Sequence, residues 1–267
     1  DHEAVAKLLH RSLVQWYESR LRQGAKFGDS HEPFLLFPEV YEALDPGEAV
    51  TARDTQTGEV LGVCFSHERE THVAIGIVAT APEAGGRGIA KQMMTAVLEK
   101  ARSLGKPARL VSSLLNLDSF SLYTRLGFVP GAIFQDMLIT VPEDGMTSPA
   151  PAGSARVRES RSDEAARIAD FEHSQQGIRR EKDFAFFLQN KVGSWRVLVS
   201  EHEDDSLNGF LAMSTHPSFS MIGPGVAADE ETAAALLWKA LDGLRGKTLV
   251  FLVPCAAANL VRTAYSW

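Results

Sequence analysis

A run of glycines, Gly85-Gly86-Arg87-Gly88, separates an apolar β-rich segment from an amphipathic helix pattern. Glycines let the backbone curl so that several N–H groups point into one concavity, and the following helix adds the positive end of its dipole. Each hydrogen bond to a charged oxygen contributes about 1.5–3 kcal/mol, so four would supply on the order of 6–12 kcal/mol. Micromolar binding needs about 8 kcal/mol. The turn is therefore predicted to hold a diphosphate, with an ordinary glycine turn as the alternative.

Two other phosphate-binding patterns fit this turn less well. In the dinucleotide pattern G-x-G-x-x-G, counted from Gly86, the third glycine falls at Lys91. The Gly-Lys-Ser/Thr ending of a P-loop is also missing from the turn. An NAD-binding enzyme is therefore the least favoured reading.

A second group of polar and aromatic residues follows about thirty residues later, in the run Asn116–Phe128. Asn116 ends a predicted strand, Tyr123 lies on the next predicted helix, and Gly127-Phe128 closes that helix. With the glycine turn, this run resembles the GNAT superfamily of N-acetyltransferases. The family turn Arg/Gln-x-x-Gly-x-Gly/Ala falls on Gly85–Ala90, where Gly85 replaces the usual Arg or Gln.

The resemblance implies a cofactor and a reaction. The fold would be the acyl-CoA N-acyltransferase fold, and an amine would attack acetyl-CoA directly in a ternary complex, with Tyr123 as proton donor to the departing thiolate. The acceptor would be a small-molecule or peptide amine, the acyl chain length is open, and no metal is expected. The cofactor residues implied are Val78, Ala79, Thr80, Gly85, Gly86, Arg87, Gly88, Ile89, Ala90, Asn116 and Ser119.

An attacking amine must first lose its proton, which costs roughly 4.6 kcal/mol at pH 7 for a pKa of about 10.4. A positioned base lowers this cost. The family's bases often act through water from the central strands, which makes candidates of His67, Glu68, Glu70 and His72, with Glu83 weaker. Glu70 is the predicted general base. The alternative is that this turn is only a solvated polar loop.

The hydrophobic pattern of the chain predicts the helices and strands that position these residues. In the first half, helices are predicted over 4–23, 88–104 and 118–126, with strands over 60–67, 71–80, 109–115 and 132–141. In the second half, a strand at 157 leads to a helix start capped by Asp163. Then come strands over 196–201, 207–215 and 248–253 and helices over 231–244 and 259–267. The fold class predicted is mixed α/β (α+β), with the same order of elements repeated in tandem.

The repeat divides the chain into domains. Residues 1–142 are predicted to be the catalytic domain, 143–154 a Pro/Gly/Ser-rich linker, and 155–267 a degenerate GNAT-like copy. A shift of 141 residues aligns Tyr123 with Ala264 and Asn116 with Ala257. The turn Gly225–Thr232 lacks a glycine cluster and carries acids that would repel phosphate. The aromatic residues predicted to fill this domain's core are Phe171, Phe184, Phe186, Phe187 and Trp195.

Composition excludes some classes of function. A net charge of −7 disfavours nucleic-acid binding, and no run approaches the roughly 18 apolar residues of a membrane span. Two isolated cysteines, Cys64 and Cys255, favour a reducing cytoplasm over a disulfide framework. The expected state is a monomer or homodimer. A non-catalytic acyl-CoA sensor and a purely structural tandem module are the alternatives to an enzyme.

Overall fold

The computed structural model describes residues 1–216 and 218–267. The chain divides into two compact units, Asp1–Val129 and Pro130–Trp267. Each unit has one mixed sheet with helices on its faces, so the predicted mixed α/β class is confirmed. None of the helices in the described ranges combines the length and the apolar character that crossing a bilayer requires.

The first unit has a four-stranded sheet in the order β1-β2-β3-β4. Strands β1 to β3 are antiparallel neighbours, and β4 runs parallel to β3. The helices are α1 His2–Leu21, α2 Leu36–Leu44, α3 Ile89–Ser103 and α4 Leu117–Arg125. The strands are β1 Val50–Arg53, β2 Val60–Glu68, β3 Val73–Thr80 and β4 Ala108–Arg109.

The central strand β2 is buried on both faces, which explains its nearly continuous apolar sequence. One face packs against α1 and α2 through side chains that include Val63 and Phe65. The other face packs against α3 through Cys64, Met94 and Val97, with side chains of α4 at its margin. The two faces of β2 thus contact two different helical layers. Side chains from either layer can therefore reach the neighbouring strand β3.

The second unit has a six-stranded sheet in the order β5-β10-β9-β8-β7-β6, in which only β9 and β10 are parallel. The predicted pairing of strands over 196–201 and 207–215 is confirmed. The strands are β5 Phe134–Thr140, β6 Val157–Glu159, β7 Trp195–Glu201, β8 Leu207–His216, β9 Phe219–Ala227 and β10 Thr248–Pro254. The helices are α5 Ala165–Gln176, α6 Glu181–Gln189, α7 Glu230–Asp242 and α8 Ala258–Ser266.

The aromatic residues predicted to fill the core of the second half do so. Phe184 is fully buried and meets the Phe210 ring edge-on at 5.0 Å, while Phe187 stacks on Trp195 at 4.1 Å. Phe171 and Phe186 pack at the margin of the same cluster. The predicted cap of α5 was wrong by one residue, because the helix begins after Glu164 rather than Asp163.

Strand β5 belongs by pairing to the second unit. These residues are predicted to belong to the first domain, yet residues 134–140 pair antiparallel with β10 along their whole length. The predicted linker 143–154 is also held inside the second unit: the Met146 amide donates to Asp242 at 3.0 Å, and the Trp238 indole donates to Ser148. The domain bounds 1–142 and 155–267 stay a prediction.

The predicted strand over 109–115 is much shorter in the structure. Regular parallel pairing ends at Ala74↔Arg109, and residues 110–116 follow an irregular path to α4. The β-rich composition of this segment could not reveal that its neighbour β3 diverges from it. That divergence creates the feature on which the candidate site is built.

Candidate functional site

The glycine turn follows β3 after a short 3-10 turn, Pro82–Ala84, and leads into α3. Gly86 and Gly88 have φ of +77° and +76°, which costs an L-residue with a side chain roughly 1–2 kcal/mol. Gly88 is the N-cap of α3, whose first turn carries no acid. The sequence therefore needs glycine here for backbone conformation.

The turn presents a set of free main-chain donors. In the described parts of the chain, the N–H groups of Gly86, Gly88, Ile89 and Ala90 donate to no main-chain acceptor, and the first bond of α3 runs from Gln92 to Gly88. Residues Gly85–Gly88 are exposed, so these donors face solvent. Free N–H groups at the positive end of a helix form an anion site. The residues present therefore fit a diphosphate.

Strand β3 offers a second set of free groups upstream of the turn. Its pairing with β4 stops at Ala74, so across residues 1–216 and 218–267 no strand pairs with 75–80 on that side. Val78, Ala79 and Thr80 lie on this free edge, half-buried, and pair on their other side with β2. An open strand edge binds an extended ligand through its main chain.

Tyr123 lies at the margin of the cluster between α3 and the sheet. It packs beside Phe128, at 6.0 Å between ring centroids, and against the cluster of Cys64, Met93 and Met94. Burial raises the pKa of Tyr123, a hydrogen bond from Ser119 lowers it, and the nearby Cys64 thiol raises it slightly. Cys64 pairs with Val78, and Val78 and Tyr123 pack against the same cluster, so both lie on the α3 face of the sheet.

Asn116 and Ser119 occupy defined positions at the start of α4. Asn116 is the N-cap, and its side-chain oxygen accepts the Ser119 N–H at 3.1 Å. This is the structural role that a strand-to-helix asparagine commonly has. Ser119 in turn contacts the Tyr123 hydroxyl, so the cap positions a residue that positions the tyrosine.

The candidate bases lie in different environments around the β2–β3 turn. Glu70 is an exposed turn residue, whereas Glu68 pairs with Lys106 at 2.9 Å, and this hydrogen bond lowers the pKa of Glu68. Glu83 pairs with Arg11 at 2.9 Å. His72 is buried beside the Thr71 hydroxyl at 3.1 Å. Of the candidates in the β2–β3 turn, Glu70 is an exposed residue, whereas His67 and His72 are buried.

A buried polar cluster on the other face of β2 was missed by sequence reasoning. The His67 Nδ1 atom lies 2.5 Å from the Asp45 carboxylate, which also accepts both terminal nitrogens of Arg69 at 2.8 and 3.1 Å. The His67 ring stacks on Tyr41 at 4.8 Å. Asp45 lies 22 residues from His67 in sequence, and no motif spacing signals such a contact.

The second unit places different chemistry at the corresponding turn. Asp229 caps α7 by accepting the Thr232 N–H at 2.7 Å, and Glu230 and Glu231 occupy the first turn. The N-terminus of α7 is therefore already satisfied by the chain's own carboxylate. An external phosphate would meet three acids there.

Comparison with known families gives two matches in tandem. The model of the acetyltransferase (GNAT) family matches residues 10–128, and a model of an acetyltransferase (GNAT) domain matches residues 169–266. Together they span most of the chain, and each falls largely within one unit of the structure. None of the curated proteins matches the chain significantly.

Solved structures of similar fold cover nearly the whole chain. A putative acetyltransferase from Pyrococcus horikoshii is 18% identical with a TM-score of 0.69, over 98% of this chain and 80% of its own. A GCN5-related N-acetyltransferase from Sphaerobacter thermophilus is 16% identical with a TM-score of 0.60, over 94% and 82%. A tandem GNAT protein from the clavulanic acid biosynthesis pathway is 14% identical with a TM-score of 0.55, over 98% and 90%. These identities support a shared fold alone.

Proposed function

Because this chain belongs to the GNAT family of acetyltransferases and carries two GNAT domains in tandem, we propose that its first domain transfers an acetyl group from acetyl-CoA to a primary amine. The observation that carries this proposal is the free edge of β3, residues 75–80, which continues directly into the exposed donors of the turn Gly85–Ala90. An extended arm on the edge and a diphosphate on the turn match the two ends of one coenzyme A molecule.

In this proposal the cofactor is held mainly by main-chain groups. Gly86, Gly88, Ile89 and Ala90 would donate to the pyrophosphate, and the exposed Arg87 would add a cation beside it. The edge groups of Val78, Ala79 and Thr80 would pair with the pantetheine arm. Asn116 and Ser119, at the start of α4, would also contact the cofactor. Gly85 contributes its backbone alone.

The reaction requires one bond to form and one to break. The neutral amine nitrogen attacks the thioester carbon, the carbon–sulfur bond breaks, and an amide and a thiol are released. The ammonium form of the amine loses one proton to become the nucleophile and a second as the amide forms. The thiolate takes up one of these, and the other passes to solvent. We assign the first transfer to Glu70 through water, because Glu70 is an exposed residue of the β2–β3 turn.

Tyr123 is assigned to the departing sulfur. A tyrosine of pKa about 10 donating to a thiolate of about 8.5 is uphill by roughly 2 kcal/mol. Burial raises the pKa of Tyr123 further, so full proton transfer from it becomes less favourable. Its role is therefore to stabilise the developing thiolate as a hydrogen-bond donor, a role that a raised pKa permits at every physiological pH.

The test of the proposed function is thiol release from acetyl-CoA in the presence of a panel of primary amines, from polyamines to peptide N-termini. Thiol release that depends on an amine supports acyl transfer. Tight binding of acetyl-CoA without thiol release would instead identify a sensor. A melting temperature that acetyl-CoA does not raise would favour a structural module. Calorimetry should give one acetyl-CoA per chain, because the acids of α7 occupy the equivalent turn.

The base assignment has its own test. Glu70→Gln keeps size and hydrogen bonding but removes the proton acceptor, so we expect at least a tenfold loss of turnover at pH 7, shrinking as pH rises and more amine is already neutral. Glu83→Gln is the matched control, because Glu83 pairs with Arg11. A Glu70 variant with the turnover and pH profile of the native protein would remove Glu70 from the mechanism.

A cytoplasmic compartment and a monomeric or homodimeric state complete the proposal. Cys255 is exposed and unpaired, which suits a reducing compartment. Light scattering of the purified chain tests the oligomeric state, and a mass between monomer and dimer that changes with concentration would indicate exchange between them.

A further inference from the structure

The free edge of β3 contains a bulge. The ladder with β2 pairs Cys64 with Val78 and Ser66 with Ile75, so Gly76 and Ile77 together lie opposite the single residue Phe65. A bulge of this kind leaves a main-chain group without its ladder partner and redirects the strand. A buried N–H without a partner costs about 1–3 kcal/mol. A polar group from outside the sheet can satisfy such a main-chain group.

Tyr41 of α2 lies against the bulge. A Cβ built on Gly76 would lie 3.1 Å from the Tyr41 hydroxyl oxygen and 3.2 Å from the ring carbon that bears it. A hydrogen bond with the Ile77 backbone favours the ionised form of Tyr41, so the Ile77 N–H is the donor and the Tyr41 hydroxyl the acceptor. Burial nevertheless raises the pKa of Tyr41 to about 12, so the hydroxyl stays protonated.

The Tyr41 ring is fixed by two further rings and a buried ion pair. It stacks on Phe65 at 4.4 Å and 23°, and on His67 at 4.8 Å and 26°. His67 is anchored to Asp45, which Arg69 neutralises. All three of these charged or titratable residues are less than 10% exposed. Because this buried cluster of His67, Asp45 and Arg69 is hydrogen-bonded, it holds the Tyr41 ring in one orientation.

We propose that Tyr41 is a positioning residue for acyl transfer: by holding the Ile77 amide it fixes the bulge of β3 and so the direction of the strand edge beside the acyl group. This rests on the proposed function, since the edge matters only if acetyl-CoA lies along it. Tyr41 acts from the α1–α2 face, whereas Tyr123 lies on the α3 face. The two tyrosines thus bracket the strand edge from opposite sides.

The position of the bulge within the cofactor site makes a distinctive prediction. The pyrophosphate turn begins eight residues beyond Ile77 in sequence, whereas the bulge is where the edge first separates from β4. A disturbed bulge should therefore weaken contacts to the acyl end and leave those to the pyrophosphate end intact. Affinity for acetyl-CoA should fall while affinity for CoA does not.

The experiment compares Tyr41→Phe with Tyr17→Phe in the full chain. Tyr17 lies in the same unit and packs against Phe27 without a part in the site, which makes it a matched loss of one hydroxyl. For Tyr41→Phe we expect about a tenfold loss of kcat and at least a threefold loss of acetyl-CoA affinity, with CoA affinity changed less than twofold. Gly76→Ala, whose new Cβ would press on the Tyr41 ring, should act in the same direction. Tyr17→Phe should match the native protein.

Native turnover and an unchanged acetyl-CoA to CoA affinity ratio in Tyr41→Phe would overturn this inference and leave the proposed function standing. An equal loss of affinity for both ligands with a lowered melting temperature would also overturn it, since that pattern marks a purely structural tyrosine. If the native protein itself neither binds nor consumes acetyl-CoA, the proposed function fails first and this inference with it.

Discussion

The two units share an order of elements and differ at the positions where chemistry would occur. In the first unit, α3 begins at Gly88, and its first N–H groups are free and exposed. In the second, α7 begins after Asp229, which accepts the Thr232 N–H itself. One helix start is open to an external anion, and the other is satisfied by its own side chain. A helix N-terminus is therefore an anion site only when the chain leaves it uncapped.

The last helices of the two units differ in the same sense. Helix α4 carries Asn116 as a capping side chain and Tyr123 over the sheet. Helix α8 has Ala257 at its cap with no side-chain hydrogen bond, and Ala264 buried in the core. The 141-residue shift aligns both pairs. Both units therefore have the packing of the common fold, but only the first has the polar side chains at these two positions.

Copying the acid of the second unit into the first should produce the largest effect. Ala90→Glu places at α3 the residue that the shift aligns with it, Glu231. A like charge near the pyrophosphate costs on the order of 1–4 kcal/mol near a surface, so we expect about a hundredfold loss of acetyl-CoA affinity by calorimetry. The melting temperature should hold or rise, because Glu favours a helix start. Ala90→Gln is the neutral control, and native affinity in Ala90→Glu would place the diphosphate elsewhere.

In the second unit, Arg158 and Arg167 both form ion pairs with Glu164 and Glu201. This ion cluster should make the stability of the unit depend on acid pH. Hydrogen bonding from Arg158 lowers the pKa of Glu201 to about 2, and Arg167 adds to this at 2.6 Å. This contribution is present above the ordinary Glu pKa of about 4.3 and is lost as the pH falls through the folded value. Glu201→Gln should cost about 2 kcal/mol of unfolding free energy at pH 7.

Urea unfolding from pH 7 to pH 2 would measure that dependence. The difference between native protein and Glu201→Gln should shrink below pH 4.3 and vanish near pH 2. Glu203→Gln, an exposed neighbour, should leave the curve unchanged. A difference that stays constant across this range would show that Glu201 acts through packing instead of charge.

Removing the Tyr123 hydroxyl tests the catalytic difference between α4 and α8. Tyr123→Phe keeps the ring against Phe128 and removes the donor to the leaving sulfur, so turnover should fall at least tenfold with little change in acetyl-CoA affinity. Tyr265→Phe, an exposed tyrosine of α8, is the control. Unchanged turnover in Tyr123→Phe would remove Tyr123 from the mechanism.

Exchanging the caps of α4 and α8 should give the smallest effect. Asn116→Ala removes the bond to the Ser119 N–H and should cost about 1 kcal/mol, whereas Ala257→Asn should add about 0.5 kcal/mol to the second unit. Chemical denaturation of both variants measures this. If Asn116→Ala also weakens acetyl-CoA binding more than threefold, Asn116 contacts the cofactor in addition to capping the helix.

Most of the regular elements follow from local patterns. The helical stripe behind α3 and the apolar runs of β2 and β3 predict those elements to within a few residues. The short helices α2 and α6 and strand β9 were not predicted from the sequence, because brief amphipathic segments between polar turns carry little periodic signal. Strand β5 was predicted, but its pairing with β10 was not. Alternation of apolar and polar residues specifies which face of a strand is buried, but it does not identify the neighbouring strand.

The sequence by itself determined the glycine turn, because only glycine adopts the positive φ of Gly86 and Gly88 without strain. It also determined the absence of a second such turn, because Asp229 and its neighbours are read directly from the chain. The tertiary structure alone decided that β3 leaves β4 after Ala74, that it bulges at Gly76, and that Tyr41 and Asp45 meet His67 beside it. These features depend on groups tens of residues apart, and burial brings them together only after the local elements have formed.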